Sequence, residues 1–381
     1  MADTRDSPEQ ADFRAGVRAF VEREVAPNVG AWDEAGEFPR ALYRRAAALG
    51  LLQLGYPEAL GGTPCELRFR LIAAEEIARA GSGGLMASLF SHNIGLPPVV
   101  AHGSPALQQR IVPPVLAGEQ IAALAITEPG GGSDVARLRT RAVRDGAHWV
   151  VDGEKTFITS GLRADWLTVA VRTGGPGAAG ISLLAVPGNT PGLQRTRLDK
   201  MGWWCSDTAH LRFDAVRVPA DHLIGEENAG FRMIMANFNG ERLLMSAGAC
   251  AFAQACLDEA LDWARQRQTF GRPLVEHQVV RHRLMDMRMR IQASRAMLAD
   301  VTTRFEATPD DPQTVADVCL LKNQATQTMQ HCADAAVQVL GGMGYVRGTK
   351  SERIYREVKV MMIGGGAEEI MKELAARQLG L

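Results

Sequence analysis

The chain has 381 residues, enough for two or three domains with cores of their own. Its 42 basic and 43 acidic side chains leave a net charge of −1, which excludes a general electrostatic attraction to nucleic acid and leaves any anionic ligand to be held by local groups. Six cysteines (Cys65, Cys205, Cys250, Cys256, Cys319, Cys332) lie scattered without a CxxC or Cys/His zinc spacing, so reduced thiols and no metal site are expected.

The opening MADTRDSPEQ is polar, with neither a signal-peptide core nor an arginine-rich presequence, and no later segment has the length and apolarity of a membrane span. A cytoplasmic location is expected if this chain is the full gene product. Ser7-Pro8-Glu9-Gln10 reads as a capping box with proline at the first helical position, and Phe13, Val17, Phe20, Val21 and Val25 follow at helical spacing. Helical pattern continues through FPRALYRRAAALGLL, LRFRLIAAEEIARAGSGG and ALQQRIVPPVLAGE, the last expected to be interrupted by Pro113 and Pro114. Residues 1–120 thus form a helical domain. From 121 to 230 short runs rich in Val, Ile and Thr alternate with turn residues; RTRAVRDGAHWVVDGEKTFIT carries two Asp-Gly dipeptides, both expected as hairpin turns. This predicts a compact β-domain. Residues 231–381 return to long amphipathic helices, with GAEEIMKELAARQL as the closing one, and predict a four-helix bundle.

Five short stretches carry candidate chemistry. AITEPGGGSD (125–134) offers glycine N–H groups and the hydroxyls of Thr127 and Ser133 to an anion, or is simply a turn. KTFITSG (155–161) places an aromatic and two hydroxyls at a strand end, which by itself is ordinary. In RQTFGRPLVEHQ (267–278), Arg267 forks onto a pyrophosphate or caps a helix end. QVLGGMGYVRG (338–348) is a glycine-rich turn. VMMIGGGAEEIMKEL (360–374) sets Gly364, Gly365 and Gly366 before a new helix, which raises the question of what approaches that backbone so closely.

In order and spacing these stretches resemble the acyl-CoA dehydrogenase family, whose members show AxTEPxxGSD, KxxITxG, RxxFGxPLxxxQ and QxxGGxGY segments and a glycine-rich bend before the last helix. SDTAHLRFDAVRVPADHLIGEENAGF is similar to the family's SDT, VRVP and LxGExNxGF run, so the resemblance covers nearly the whole chain. It implies a mainly α fold with a helical amino-terminal domain, a β-barrel-like middle domain and a carboxyl-terminal four-helix bundle, assembled as a homotetramer (dimer of dimers). It further implies FAD and an acyl-CoA thioester between the domains. Under the resemblance Ile126, Thr127 and Ser133 line the flavin or its pyrophosphate, Ser133 also nears CoA, and Phe157, Ile158 and Thr159 meet the isoalloxazine. Arg267, Phe270, Gln278, Gln338, Val339, Gly341 and Gly342 complete FAD sites, some across a subunit boundary, and Gly366, Ala367 and Glu369 lie where others contact FAD. Two departures are Phe157, where many members have Trp, and Arg137, where a small residue is usual.

The family's base is often a Glu in the glycine-rich bend, but Gly365 stands at that position here. Isovaleryl-type and long-chain-type members carry it instead in an ER dipeptide on the first bundle helix, and FNGERLLMSAG aligns Glu241 with that acid. Glu241 is therefore expected as the base, the other reading being a helix-entry glutamate stabilised by the dipole. The resemblance assigns the Gly365 N–H to the thioester oxygen with Gly364 beside it; Asn239 and Arg242 become CoA contacts, unless Arg242 is a structural ion-pair partner. Met86, Phe90 and His92 are acyl-pocket candidates or plain core. The function implied is FAD-dependent α,β-dehydrogenation of an acyl-CoA to the trans-2-enoyl-CoA, in fatty or branched-chain acyl metabolism, with electrons passed to an electron-transferring flavoprotein. An oxygen-using acyl-CoA oxidase and a non-catalytic acyl-CoA-binding flavoprotein are the alternatives.

Overall fold

The computed structural model describes residues 6–381. Helix α1 (Pro8–Phe20) begins on the expected capping box: the Gln10 N–H donates to Ser7 Oγ (3.2 Å) and the Ser7 N–H donates to Gln10 Oε1 (3.0 Å). Then follow α2 (Val29–Ala35), α3 (Ala41–Ala48), α4 (Leu67–Ala78), α5 (Gly83–Leu89), α6 (His92–Gly95), α7 (Pro97–His102) and α8 (Pro105–Leu116). Pro113 and Pro114 do not interrupt α8, contrary to expectation. They sit in its last turns, where proline's fixed φ suits a helix and few further bonds depend on the missing N–H groups.

The middle of the chain is one eight-stranded sheet: β1 (Ala122–Ala125), β2 (Arg141–Asp145), β3 (His148–Thr159), β4 (Trp166–Arg172), β5 (Ile181–Pro187), β6 (Leu193–Arg197), β7 (Thr208–Pro219) and β8 (Leu223–Ile224). Its path runs β6-β7-β3-β2-β4-β5-β8, with β1 parallel to β4; β2 reaches β4 through the single pair Arg141↔Arg172. The first Asp-Gly turns the β2–β3 hairpin, pairing Asp145 with His148 around Gly146. The second does not turn the chain. Gly153 (φ 145°) sits within β3 at a register shift in its pairing with β7, and a Cβ there would lie 2.6 Å from Thr140 Cα, so the glycine permits a bulge against β7 while Thr140 packs close.

Helices α9 (Gly230–Gln266), α10 (Gln278–Ala307) and α11 (Pro312–Leu340) form the bundle, with a small hairpin of β9 (Gln268–Thr269) and β10 (Arg272–Pro273) between the first two. After the short α12 (Gly342–Tyr345), the fourth member is α13 (Lys350–Ile363), whereas the closing α14 (Glu368–Gln378) lies outside it, with Met371 and Ala375 against Ala316 and Cys319 of α11. Small residues of α9, Ala247, Ala249, Ala253, Cys250 and Cys256, are buried at the bundle centre and allow close helix approach. All six cysteines are free thiols, and all but Cys65 are buried.

Three parts of the chain meet on α13. The buried Glu357 accepts the Gly83 N–H (2.7 Å) from the helical domain and the Trp203 N–H (3.1 Å) from the loop before β7, while Arg353 pairs with buried Asp33 of α2 (3.1 Å). Burial pushes the Glu357 carboxyl up to about 7, with Asp33 adding to it. No described helix is long and apolar enough to cross a membrane.

Candidate active site

The three glycines form the bend from α13 to α14, and two of them take backbone angles that side chains disfavour: Gly365 φ 68° and Gly366 φ 115°. A Cβ on Gly365 would lie 2.8 Å from Met245 Sδ of α9. Two cations secure the carbonyls of the bend. Arg242 of α9 donates from Nε to Gly365 O (3.1 Å), and Lys322 of α11 donates from Nζ to Met362 O (2.9 Å) and Gly366 O (2.8 Å). Asn323 adds a hydrogen bond to Glu368 O (2.9 Å). The Gly365 and Gly366 N–H groups have no partner among the described residues.

Glu241 precedes Arg242 on α9, about three turns inside the helix, where first-turn dipole stabilisation no longer acts. Its half-buried carboxylate has no hydrogen bond or ion pair among the described residues, and desolvation pushes it up to about 7 against the opposing charge of Arg70. An unpaired, desolvated carboxylate costs folding free energy that nothing in its described surroundings offsets. The other acids near the bend are differently disposed: Glu368 is engaged by Lys372 (2.7 Å) and Gln327 (2.8 Å), and Glu369 is exposed. Arg242 is buried and also donates to Asn239 Oδ1 (2.9 Å), so the guanidinium already holds two intramolecular partners.

A second group joins the end of β1 to the end of β3. Fully buried Lys155 donates from Nζ to Ile126 O and Glu128 Oε1, both at 2.9 Å, and Glu128 also accepts the Arg139 (2.6 Å) and Thr140 (2.8 Å) N–H groups. Burial pushes the Lys155 amine down to about 8; burial opposes ionisation of Glu128 too, but the Lys155 charge and the Thr140 and Arg139 donors hold it below the usual carboxylate value. The Thr156 N–H donates to Thr127 O (2.8 Å), bringing Ile126 and Thr127 beside Phe157, Ile158 and Thr159. Phe157 stands 70 % exposed at φ 60°, a strained state for an aromatic residue. Gly130 and Gly131 have open space where a Cβ would be, and Ser133 is exposed on the same loop.

Three family models match this architecture in sequence: acyl-CoA dehydrogenase N-terminal domain over residues 7–119, middle domain over 123–216 and C-terminal domain over 228–380. The chain belongs to the acyl-CoA dehydrogenase family. A crystal structure of a probable acyl-CoA dehydrogenase from Mycobacterium abscessus superposes with TM-score 0.95 at 49 % identity, covering 98 % of this chain and 99 % of the other. The long-chain specific acyl-CoA dehydrogenase of Rattus norvegicus mitochondria is 36 % identical over 98 % of this chain and 87 % of its own. A glutaryl-CoA dehydrogenase from Mycobacterium smegmatis, in complex with FADH2, has TM-score 0.93 at 25 % identity, covering 99 % and 96 %. This dehydrogenase is thus an oxidoreductase of a FAD-dependent family.

The remaining flavin-site candidates of the dehydrogenase lie apart. Arg267, Phe270 and Gln278 are exposed at the far end of α9 and the start of α10, and Gln338, Gly341 and Gly342 are exposed at the end of α11, with Val339 buried beside them. Gln338 and Val279 line one groove between α10 and α11, so this set is shared within one chain. No described hydrogen bond or ring contact joins it to Thr127 or Phe157. Arg137 is exposed, 3.9 Å from Asp134, and displaces nothing.

Lys322, Lys155, Glu128 and Arg70 were missed by sequence reasoning. Lys322 offered one signal, a lone cation in the otherwise small and apolar VCLLKNQATQT. Glu128 and Lys155 stand within the quoted AITEPGGGSD and KTFITSG stretches, but nothing local says that they pair.

Proposed function

We propose that this dehydrogenase removes the α-proton of an acyl-CoA thioester with Glu241, yields the trans-2-enoyl-CoA and passes the electrons to an electron-transferring flavoprotein. The observation that carries the reading is the unpaired Glu241 carboxylate beside Arg242, whose guanidinium ties the helix to a bend with free N–H groups. A carboxyl raised to about 7 is a better-matched base for a weakly acidic carbon than an ordinary glutamate. The Gly365 N–H donates to the thioester oxygen, stabilising enolate-like charge while the proton moves to Glu241. Arg242 is a positioning residue, because its Nε and one Nη hold Gly365 O and Asn239 Oδ1. FAD, when bound, supplies the acceptor for the β-hydrogen as hydride. Exposed Phe157, the hydroxyls of Thr127, Ser133 and Thr159, and the open glycines at 130 and 131 suit a flat, phosphate-bearing group and would hold it.

The reading includes more than one subunit. Glu241 and Arg267 lie 26 residues apart on one helix, about 39 Å at 1.5 Å per residue, beyond the reach of one dinucleotide. Arg267, Phe270 and the 338–342 turn therefore serve the FAD of another copy, in a dimer of dimers.

The test is Glu241→Gln in the holoenzyme. FAD content stays at the wild-type level, and anaerobic bleaching of the flavin by acyl-CoA slows by roughly a hundredfold or more. Bleaching at the wild-type rate excludes Glu241 as the base.

A further inference from the structure

The cations around α4 are paired, with one exception. Arg14, Arg18 and Arg79 bind Glu76, and Arg68 binds Asp6 and Glu75. Arg70, two positions further along and so turned well around the helix from Arg68, has no ion pair or hydrogen bond with any described residue. Its Nε is buried without a partner, and its side chain lies against the backbone of Gly55, where a Cβ would come within 2.9 Å of Arg70 Cδ.

Its contact with Gly55 sets Arg70 beside Tyr56, and its charge also reaches Glu241, His92 and Cys65, on the side of the proposed base. Its neighbours are fixed polar groups. Tyr56 donates its hydroxyl to His92 O (3.1 Å), with the Tyr56 and His92 rings 5.8 Å apart. His92 is buried, its Nε2 is without a hydrogen-bond partner, and desolvation and the Arg70 charge push its imidazole down to about 4, so it stays neutral. Glu241 is not the counterion of Arg70: no ion pair joins them within 4.0 Å, and the carboxyl is pushed up, which a close guanidinium would prevent.

A buried Nε without an acceptor costs free energy, whereas a guanidinium edge matches a carboxylate through two parallel hydrogen bonds. We propose that Arg70 recognises a carboxylate on the acyl chain, so that the preferred substrates are CoA thioesters of dicarboxylic acids. Tyr56 and His92 form the polar wall around that group. The inference rests on the acyl-CoA reading of the site and narrows it.

The test measures binding by calorimetry to the Glu241→Gln holoenzyme, which does not consume its ligand. Straight-chain acyl-CoAs are compared with dicarboxylyl-CoAs of equal chain length, from five to eight carbons, with Arg70 intact, as Arg70→Met and as Arg70→Lys. At one chain length or more the dicarboxylyl ester binds roughly tenfold tighter or better with Arg70 intact; the preference disappears in Arg70→Met and partly returns in Arg70→Lys. The lysine variant also serves if the methionine variant fails to retain FAD. Equal or weaker binding of every dicarboxylyl ester, or a preference that survives loss of the guanidinium, overturns the proposal. An unchanged preference, together with a kcat/KM pH profile that shifts when Arg70→Met is made in the enzyme that keeps Glu241, overturns it and assigns Arg70 to Glu241 instead. Binding of neither series refutes the acyl-CoA reading itself.

Discussion

Glu241 is held where its ionisation has two measurable consequences of opposite benefit. For chemistry the carboxyl must be ionised to take a proton, so kcat/KM is expected to rise with pH through a single ionisation near 7 and then to level off. For stability the sign is reversed. The unfolded carboxyl ionises near 4.5 and the folded one near 7, so between these values the folded state binds more protons, and this contribution to stability falls as pH rises through the window. Glu241→Gln removes the ionisation altogether. Its Tm should therefore exceed the wild-type Tm by more at pH 8 than at pH 5, in thermal melts of the holoenzyme; an equal difference at both values would mean that the carboxyl is not desolvated. The same residue would then be a place where the fold gives up stability for activity.

The bend between α13 and α14 shows which elements were legible and which were not. Capping of α1 was readable because Ser7 and Gln10 are three residues apart and the interaction is local. Asp145-Gly146 and Asp152-Gly153 are indistinguishable as dipeptides, yet only the first turns the chain, because the second is decided by the approach of Thr140 from the neighbouring strand. The glycines of the bend and the ER dipeptide were found by their likeness to a family pattern. What holds them was not, because Lys322 lies 40 and 44 residues from its acceptors and a lysine on a helix ordinarily faces solvent. Burial pushes the Lys322 amine down to about 8, but the amine fills the space between two backbone carbonyls that no other described side chain satisfies. Lys322→Met keeps the stem and leaves both carbonyls unpaired. It is expected to cost about 2 kcal/mol, read as a lower denaturation midpoint, and to reduce bleaching of the flavin by acyl-CoA while Glu241 remains. Wild-type stability would show that water replaces the amine at no cost.

Viewed whole, the molecule exposes several large apolar side chains on its carboxyl-terminal helices and their hairpin. Phe270 is 97 % exposed and Tyr345 91 %, and Val279, Met285 and Met289 lie exposed along α10. Phe270 also holds φ 50°, a strained state for an aromatic residue, and among the described residues its one ring–ring contact is with His277, at 6.2 Å edge-on. A hairpin tip that presents a large ring in this way lowers no free energy in an isolated chain, but it does so if another copy and its cofactor cover the ring. Arg267 and Phe270, at and beyond the end of α9, stand too far from Glu241 for the FAD of the proposed site to reach both. Assembly and cofactor retention are therefore expected to be coupled. Phe270→Glu replaces an exposed side chain without disturbing a packed core, so the subunit should keep its helicity by circular dichroism. Sedimentation should nevertheless show smaller assemblies than the wild type, and FAD should be lost on gel filtration, with added FAD partly restoring the larger species through mass action. A variant that sediments as the wild type and retains FAD would separate the hairpin from both assembly and the cofactor.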